Sequence, residues 1–528
     1  MIVVKSGCIF IVSPLLHMSF LECNSHSPTY GLSSSYTHRQ GRSLANSGKL
    51  ENMGSIRCEQ DSSTPHVLLF PFMAKGHTIP LLDFARLLLR RNASVTVVTT
   101  PANRPFATES LHNTGASIVD IPFPANVPEI PAGVESTDKL PSMSLFYKFT
   151  TATVHMQPHF ESVLENLPRV SFMVSDGFLW WTLHSASKFG IQRLVYFGMS
   201  AYAEAVSREA VISGIIYGPQ PDDESVKLKR FPWIRLSKND VEPEFRNPDP
   251  KSLSFEFNMN VFSSASQSFG MVVNSFYELE PVYIDYVKEQ SDHKSYYCVG
   301  PLCLAEDQRN QLSVESRKPT WMGWLDKKQE VLYVAFGSQA EISSEQLKEI
   351  AIGLEESVVE FMWVIRKKEW ELPQGLEERV EKRGIIVREW VDQREILRHE
   401  AVKGFLSHCG WNSVLEGICA GVPILAWPMM AEQHLNAKMV EEEIKVGMRV
   451  DTHSDSVRGL VKGEGVRTMV RELMEGEKGR EVRKKVTELA ETAKKAVAEG
   501  GSSWRALESL LAEACRKRES SEAHTNGI

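Results

Sequence analysis

His77 is the residue of this chain best placed by type and position to take a proton. It follows the apolar run Val67–Phe72 across a short Gly-His turn, so a strand would deliver it to the carboxyl edge of a sheet. An imidazole that titrates near neutrality suits a general base. A helix-start histidine bonded to backbone is the plainer alternative. A second stretch able to do chemistry is His408-Cys-Gly410-Trp411-Asn412-Ser413, which follows the apolar run Gly404–Ser407 and opens a helical pattern reaching about Ala420. A helix amino terminus offers free backbone N–H groups and the positive end of the dipole, which together favour an anion. His408, Asn412 and Ser413 add side-chain donors there without a fixed positive charge, and Gly410 lets the backbone approach closely. Ser413-Val-Leu-Glu416 also spells a capping box. Trp390 reads either as core or as a platform on which a base stacks.

The elements that must position these groups fall into two similar halves. Val67–Phe72 is continuous enough in apolar residues for a strand buried on both faces. Pro80 follows in a first-turn position, then Leu82, Ala85, Leu88 and Leu89 at helical spacing, then a strand from Val95 to Val98, a βαβ pattern that implies a parallel sheet. Val170–Val174, Leu194–Phe197 and Met271–Asn274 read as further strands. The pattern restarts with a strand over Val331–Phe336 and a helix over Ser344–Ser357, and continues with strands at Phe361–Ile365, Ile385–Arg388, Gly404–Ser407 and Pro423–Trp427. Val482, Val486, Leu489, Ala493 and Val497 mark a long amphipathic helix that Gly500-Gly501 ends, and Ser502 or Ser503 can cap a last one. The expected organisation is a first α/β domain over 66–304, a polar linker over 305–320, a second over 321–499, a terminal helix over 500–515 packing back on the first domain, and a frayed tail over 516–528.

Residues 1–65 do not share this pattern. The first 52 hold ten Ser and only two acids, Glu22 and Glu51. Lys5 with the apolar stretch Cys8–Leu16 imitates a secretory leader, while the Ser- and Arg-rich, acid-poor composition imitates an organelle transit peptide. A start at Met53, with the preceding residues a spurious extension, is the third reading; disorder is expected under all three.

Composition narrows the function classes. Lys and Arg number 59 against 67 Asp and Glu, a net charge of −8, a poor basis for nucleic-acid binding. No apolar run reaches the ~18 residues of a membrane-spanning helix. The eight cysteines form neither a CxxC pair nor a zinc-ligand spacing, as expected of reduced thiols in a cytoplasmic protein. GxGxxG after a strand and GxxxxGK[ST] are both missing, against NAD enzymes and P-loop NTPases.

The block that remains is distinctive as a whole. Trp390-x-x-Gln393, Leu397-x-His399, Gly404-Phe405, His408-x-Gly410-Trp411-Asn412-Ser413, Glu416, Gly421-Val422-Pro423, Pro428 and Glu432-Gln433 resemble, in order and spacing, the 44-residue signature of plant family-1 UDP-sugar glycosyltransferases. The resemblance extends over roughly 66–515, and WVDQREIL and ILAWPMMAEQ look closest to a flavonoid-type branch. It implies the GT-B fold, two facing Rossmann-like domains with parallel sheets, in agreement with the two halves above.

Residue by residue, the resemblance implies that Trp390 stacks on uracil, the Val391 backbone reads its edge, and Gln393 and Glu416 hold the ribose. His408, Asn412, Ser413 and Ser338 would receive the phosphates, while Trp411, Glu432 and Gln433 would orient the sugar. His77 would be the base. Asp176, in Val174-Ser-Asp176-Gly-Phe178, resembles the carboxylate that orients it, against a plain turn residue before Gly177. Asp392 stands where the family usually has Pro, which puts the rigidity of the uracil loop in doubt, and His434 occupies a variable position beside the sugar-reading pair. The implied reaction is inverting transfer of glucose from UDP-glucose to a hydroxyl of a small apolar or phenolic acceptor, with UDP-glucose as co-substrate, no bound cofactor and no metal. A monomer is expected. The alternatives are a non-catalytic nucleotide-sugar binder and the same enzyme using another UDP-sugar. Phe146 and Trp180-Trp181 read either as an aromatic acceptor pocket or as core.

Overall fold

The computed structural model describes residues 2–5, 8–11, 64–291, 295–305, 319–365, 372–450 and 459–525. Residues 12–63, and 306–318 of the expected linker, lie outside these, as do the expectations placed on them. At the amino end, Ile2–Lys5 and Cys8–Ile11 pair with each other as an antiparallel two-stranded sheet.

The first large sheet contains His66–Phe70 (β1), Ser94–Thr99 (β2), Ser117–Asp120 (β3), Phe172–Asp176 (β4), Arg193–Phe197 (β5), Gly270–Val273 (β6) and Tyr296–Cys298 (β7), in the order β7-β6-β5-β4-β1-β2-β3 and parallel throughout. The second contains Val331–Ala335 (β8), Glu360–Val364 (β9), Gly384–Val387 (β10), Val402–Ser407 (β11), Ile424–Ala426 (β12) and Gly447–Arg449 (β13), ordered β10-β9-β8-β11-β12-β13 and again all parallel. Each sheet reverses its strand order once near its centre, between β1 and β4 and between β8 and β11. Such reversals open a crevice at the carboxyl ends of the strands.

The apolar runs are continuous because both faces of each sheet are covered. In β1, Val67 and Leu69 pack with Leu81, Phe84, Leu88 and Val95 on one face, while Leu68 and Phe70 pack with Phe149, Phe160 and Trp181 on the other. β8 divides likewise, Leu332 and Val334 against Leu347, Ile350 and Leu354, and Val331 and Tyr333 against Met362 and Phe405. A further core crosses between the domains and joins Tyr202, Val206 and Tyr283 to Trp411, Val414, Ile418 and Met439.

Four local details differ from the sequence-based expectations. Helix α1 runs from Lys75 to Arg90, so Pro80 lies inside it rather than in its first turn. Strands β3, β7 and β13 were not anticipated; all are short and stand at sheet edges, where apolar patterning is weakest. The terminal helix spans Ser502–Thr525 instead of fraying after Cys515, because its later residues are mostly good helix formers such as Ala, Glu, Arg and Lys. Ser502 and Ser503 lie within that helix, and their hydroxyls bond Glu278 (2.7 Å) and the Gly300 carbonyl (2.5 Å) instead of capping it. Leu507, Leu510 and Leu511 enter the core of the first domain at its β7 edge, with Tyr297 and Val299.

Candidate active site

The two switch points face each other across one cleft of about 440 Å³, lined from the first domain by His77, Phe178 and Met199 and from the second by Ser338, Trp390, His408, Trp411 and Glu432. His77 is in the first turn of α1, directly after β1, and Asp176 is the last residue of β4. The strand-order reversal therefore brings them together. His77 Nδ1 donates to Asp176 Oδ2 at 2.7 Å, with Asp176 fully buried and the His77 side chain 20% exposed. Asp176 Oδ1 accepts from the Phe178 backbone N–H at 2.9 Å, which fixes the carboxylate in turn. Burial opposes charge on His77, yet the charge and bond of Asp176, helped by Glu432, outweigh it and raise the imidazole above its ordinary value.

Aromatic rings wall the histidine. Phe178 lies 4.9 Å and Phe72 5.6 Å from it, centroid to centroid, and Phe146 and Phe257 close on Phe178 at 5.9 and 5.5 Å. Trp181 is core, 1% exposed and bonded through its indole N–H to Thr153, and Trp180 packs against the same cluster. Phe257 sits in a helix, Leu253–Gln267, whose mixed polar and apolar pattern gave no signal beforehand.

On the opposite wall, helix α2 (Trp411–Ala420) begins at Gly410. Gly337 and Gly410 cradle His408: a Cβ on either would come within 2.7 and 2.6 Å of its Nε2, and Gly337 also has φ +78°. Ser413 is the third helical residue, so the capping-box reading of Ser413–Glu416 fails. Its hydroxyl instead accepts from Gln393 Nε2 at 2.9 Å, and the same nitrogen donates to Glu416 Oε2 at 2.7 Å. Ser338 follows β8 at the second reversal and lines the cleft beside His408.

Trp390 and Val391, expected at the uracil, also line the cleft, Trp390 half-exposed and Val391 buried. Phe106 of the first domain meets Trp390 edge-on at 6.3 Å, and Lys75 Nζ stands 3.3 Å from the Phe106 ring centroid. Asp392, where rigidity was in doubt, caps helix Gln393–Arg398 by accepting from the Arg394 and Glu395 N–H groups at 2.9 and 3.3 Å. That cap restrains the loop as a side-chain bond.

Three predicted donor-site residues have commitments that residue type does not show. Trp411 is 1% exposed and its indole N–H donates to the Asn274 carbonyl at 2.7 Å. Asn412 donates to the Gly76 carbonyl and accepts from Asn274 Nδ2 at 3.2 Å. Gln433 Oε1 accepts from the Met429 and Met430 N–H groups at 2.9 and 3.1 Å, leaving its NH₂ for a ligand. Glu432, beside it, is bonded by Asn436 Nδ2 at 3.3 Å, and burial raises its carboxyl above the usual range against the pull of His77. His434 is 1% exposed and does not line the cleft, so it is not placed to touch a sugar there.

Asp83, Arg394 and Asn274 were missed. Helical spacing sets Asp83 with Ile79 and Arg86, opposite Leu81, Phe84 and Leu88, so its pattern is that of a solvated face and gave no signal.

Two facing parallel-sheet domains with a polar cleft at both reversals have the GT-B glycosyltransferase architecture. A family model described as "UDP-glucoronosyl and UDP-glucosyl transferase" matches residues 320–482. UDP-glycosyltransferase 90A1 of Arabidopsis thaliana is 52% identical over 87% of this chain and 98% of its own length. UDP-glucose flavonoid 3-O-glucosyltransferase 7 of Fragaria ananassa is 36% identical over 85% and 96%. The crystal structure of Glycyrrhiza uralensis UGT73P12, complexed with glycyrrhetinic acid 3-O-monoglucuronide, superposes with a TM-score of 0.78 at 28% identity, over 88% of this chain and 98% of that one. The chain belongs to the plant family-1 UDP-glycosyltransferases, enzymes that join the sugar of a UDP-sugar to small plant molecules. Among the described residues no helix is long and apolar enough to cross a membrane, and no group of His, Cys, Asp or Glu is arranged to hold a metal ion.

Proposed function

We propose that the enzyme transfers glucose from UDP-glucose to a hydroxyl of a small aromatic acceptor with inversion, giving a β-glucoside. The observation that carries the reading is the 2.7 Å bond between His77 and Asp176 at the first switch point, facing the amino terminus of α2 across the cleft. Because Nδ1 donates to Asp176, Nε2 holds the lone pair and accepts the acceptor's hydroxyl proton. The acceptor oxygen bonds to the anomeric carbon as the bond from that carbon to the β-phosphate oxygen breaks, and UDP leaves with the electron pair. Asp176 stabilises the imidazolium as it forms. One direct displacement turns an α-linked donor into a β-linked product.

The donor roles follow the cleft. Trp390 stacks on uracil and the Val391 backbone reads its edge; Glu416, set by Gln393, accepts from the ribose hydroxyls. His408, Ser338, Ser413 and the N–H groups opening α2 receive the diphosphate, and its charge is met there without a metal. Trp411 contributes through its backbone, since its indole is engaged, while Glu432 accepts from sugar hydroxyls and the Gln433 NH₂ donates to one. The rings of Phe72, Phe146, Phe178 and Phe257 favour a flat phenolic acceptor. The test is a panel of phenols, aliphatic alcohols and acids with UDP-glucose and excess EDTA, with products read by NMR. Phenolic β-glucosides are expected. An α-linked product, a metal requirement or turnover confined to aliphatic acceptors would overturn the corresponding part.

A further inference from the structure

Asp83 is buried, 1% exposed, on the same helix as His77. It is met on its own helix by Arg86 Nη1 at 2.5 Å. From the other domain Arg394 meets it with both ends of its fork, Nη1 to Oδ1 at 3.2 Å and Nη2 to Oδ2 at 2.5 Å. The remaining nitrogen of that fork, Nε, donates to Glu416 Oε1 at 3.2 Å. One guanidinium, 8% exposed, therefore holds a carboxylate from each domain, in the planar two-ended geometry that lysine does not reproduce.

We propose that Arg394 is a positioning residue that makes donor-ribose recognition depend on domain docking, through the chain Asp83–Arg394–Glu416. The proposal rests on the reading of Glu416 as the ribose ligand. Burial raises the Glu416 carboxyl, and Arg394 first, with Gln393, pulls it back toward the ionised form that can accept two hydroxyls. Arg394 keeps that position because Asp83 fixes its far end. Since Asp83 belongs to the helix that carries His77, whose ring is seated separately by Asp176, the contact that readies the ribose carboxylate also ties that helix to the second domain. Coupling of this kind is reciprocal: what favours docking favours donor binding, and the reverse.

The test uses the full chain and compares Arg394→Gln, Arg394→Lys, Asp83→Asn and Glu416→Gln, alone and combined, by calorimetric UDP binding, KM for UDP-glucose, kcat and Tm. Arg394→Gln should weaken UDP binding and raise KM by ~10-fold, within the ~5–150-fold span of such couplings, with kcat changed far less. Arg394→Lys should recover part of that loss, and Asp83→Asn should show a smaller loss of the same kind. In a Glu416→Gln background Arg394→Gln should add nothing, because a neutral amide needs no cation. If Glu416→Gln alone leaves UDP binding intact, the ribose assignment fails and the proposal falls with it. If Glu416→Gln weakens binding but Arg394→Gln lowers only Tm, or if the two losses multiply, the ribose assignment stands and the coupling is wrong.

Discussion

The side-chain amide of Asn412 donates to the Gly76 carbonyl at 2.5 Å, a carbonyl with no helical partner because the residue four further on is Pro80. A proline has no N–H to close that turn of α1, so the vacancy is filled from the opposite domain. The helix that carries His77 is thus pinned at its start to the helix whose amino terminus opens on the cleft.

Pro80→Ala is the direct probe of that arrangement. The new N–H gives Gly76 an intrahelical partner and competes with Asn412, while Ala is the better helix residue by up to ~3 kcal/mol. The variant should therefore have a Tm no lower than the parent and a kcat/KM reduced ~3-fold or more, about 0.65 kcal/mol. Differential scanning fluorimetry and steady-state kinetics read both signs. A drop in Tm with unchanged kcat/KM would contradict the competition.

His77→Ala should abolish transfer while UDP binding survives, because the base and the nucleotide site belong to different domains. The pH dependence has a definite sign. A base must be neutral, and His77 is held above its ordinary value of 6.5 by Asp176 and Glu432 against the opposing effect of burial. The acid limb of kcat/KM should therefore have its midpoint above that value. Asp176→Asn should move the limb to lower pH and cut kcat by ~10²-fold or more. A limb that stays in place would show that Asp176 does not set the imidazole.

Donor choice should favour UDP-glucose over UDP-galactose by at least ~10-fold in kcat/KM, which needs only about 1.4 kcal/mol. With Gln433 Oε1 held by two backbone N–H groups, its contribution is a donor alone and Glu432 supplies the acceptors. Gln433→His should shrink the ratio mainly by slowing glucose transfer. Gln433→Glu should be worse than the histidine variant, since it keeps an acceptor for the Met429 and Met430 N–H groups but places a second acceptor where a donor is needed. Equal use of both donors by the parent enzyme would overturn the assignment.

A chain begun at Met53 should turn over like the full one. The first strand of the large sheet begins at His66, and the short hairpin near the amino end pairs within itself. Matching kcat, KM and Tm values are expected, and a loss in any of them would give residues 1–52 a part in the fold.

What the sequence made legible follows the strength of the physical signal. Central strands such as β1 and β8 are buried on both faces, so their apolar runs are unbroken, and helix Ser344–Ser357 lies between Ser343, which caps it, and a left-handed Val358. The edge strands β3 and β13 carry little such pattern. In the site, residues that their place in the chain brings to the cleft were readable: His77 after a strand, His408 before a helix, and the spaced block from Trp390 to Gln433. What could not be read was which atoms were already spoken for. The commitments of the Trp411 indole and the Asn412 amide, and the partnership of Asp83 with Arg394, depend on segments far apart in the chain that only packing brings together, while the Gln433 oxygen is held by a local turn that no residue pattern announced.

The terminal helix has a consequence for synthesis. Leu507, Leu510 and Leu511 complete the apolar layer at the β7 edge of the first sheet, yet they are made long after the strands they cover. On a ribosome, where domains otherwise fold in order of emergence, we expect the first domain to wait with that edge bare until the second has been translated. Stalled nascent chains released just before Ser502 and just after Thr525 should therefore differ sharply in protease resistance within residues 66–300. Equal resistance in the two would mean that the layer closes without its last piece.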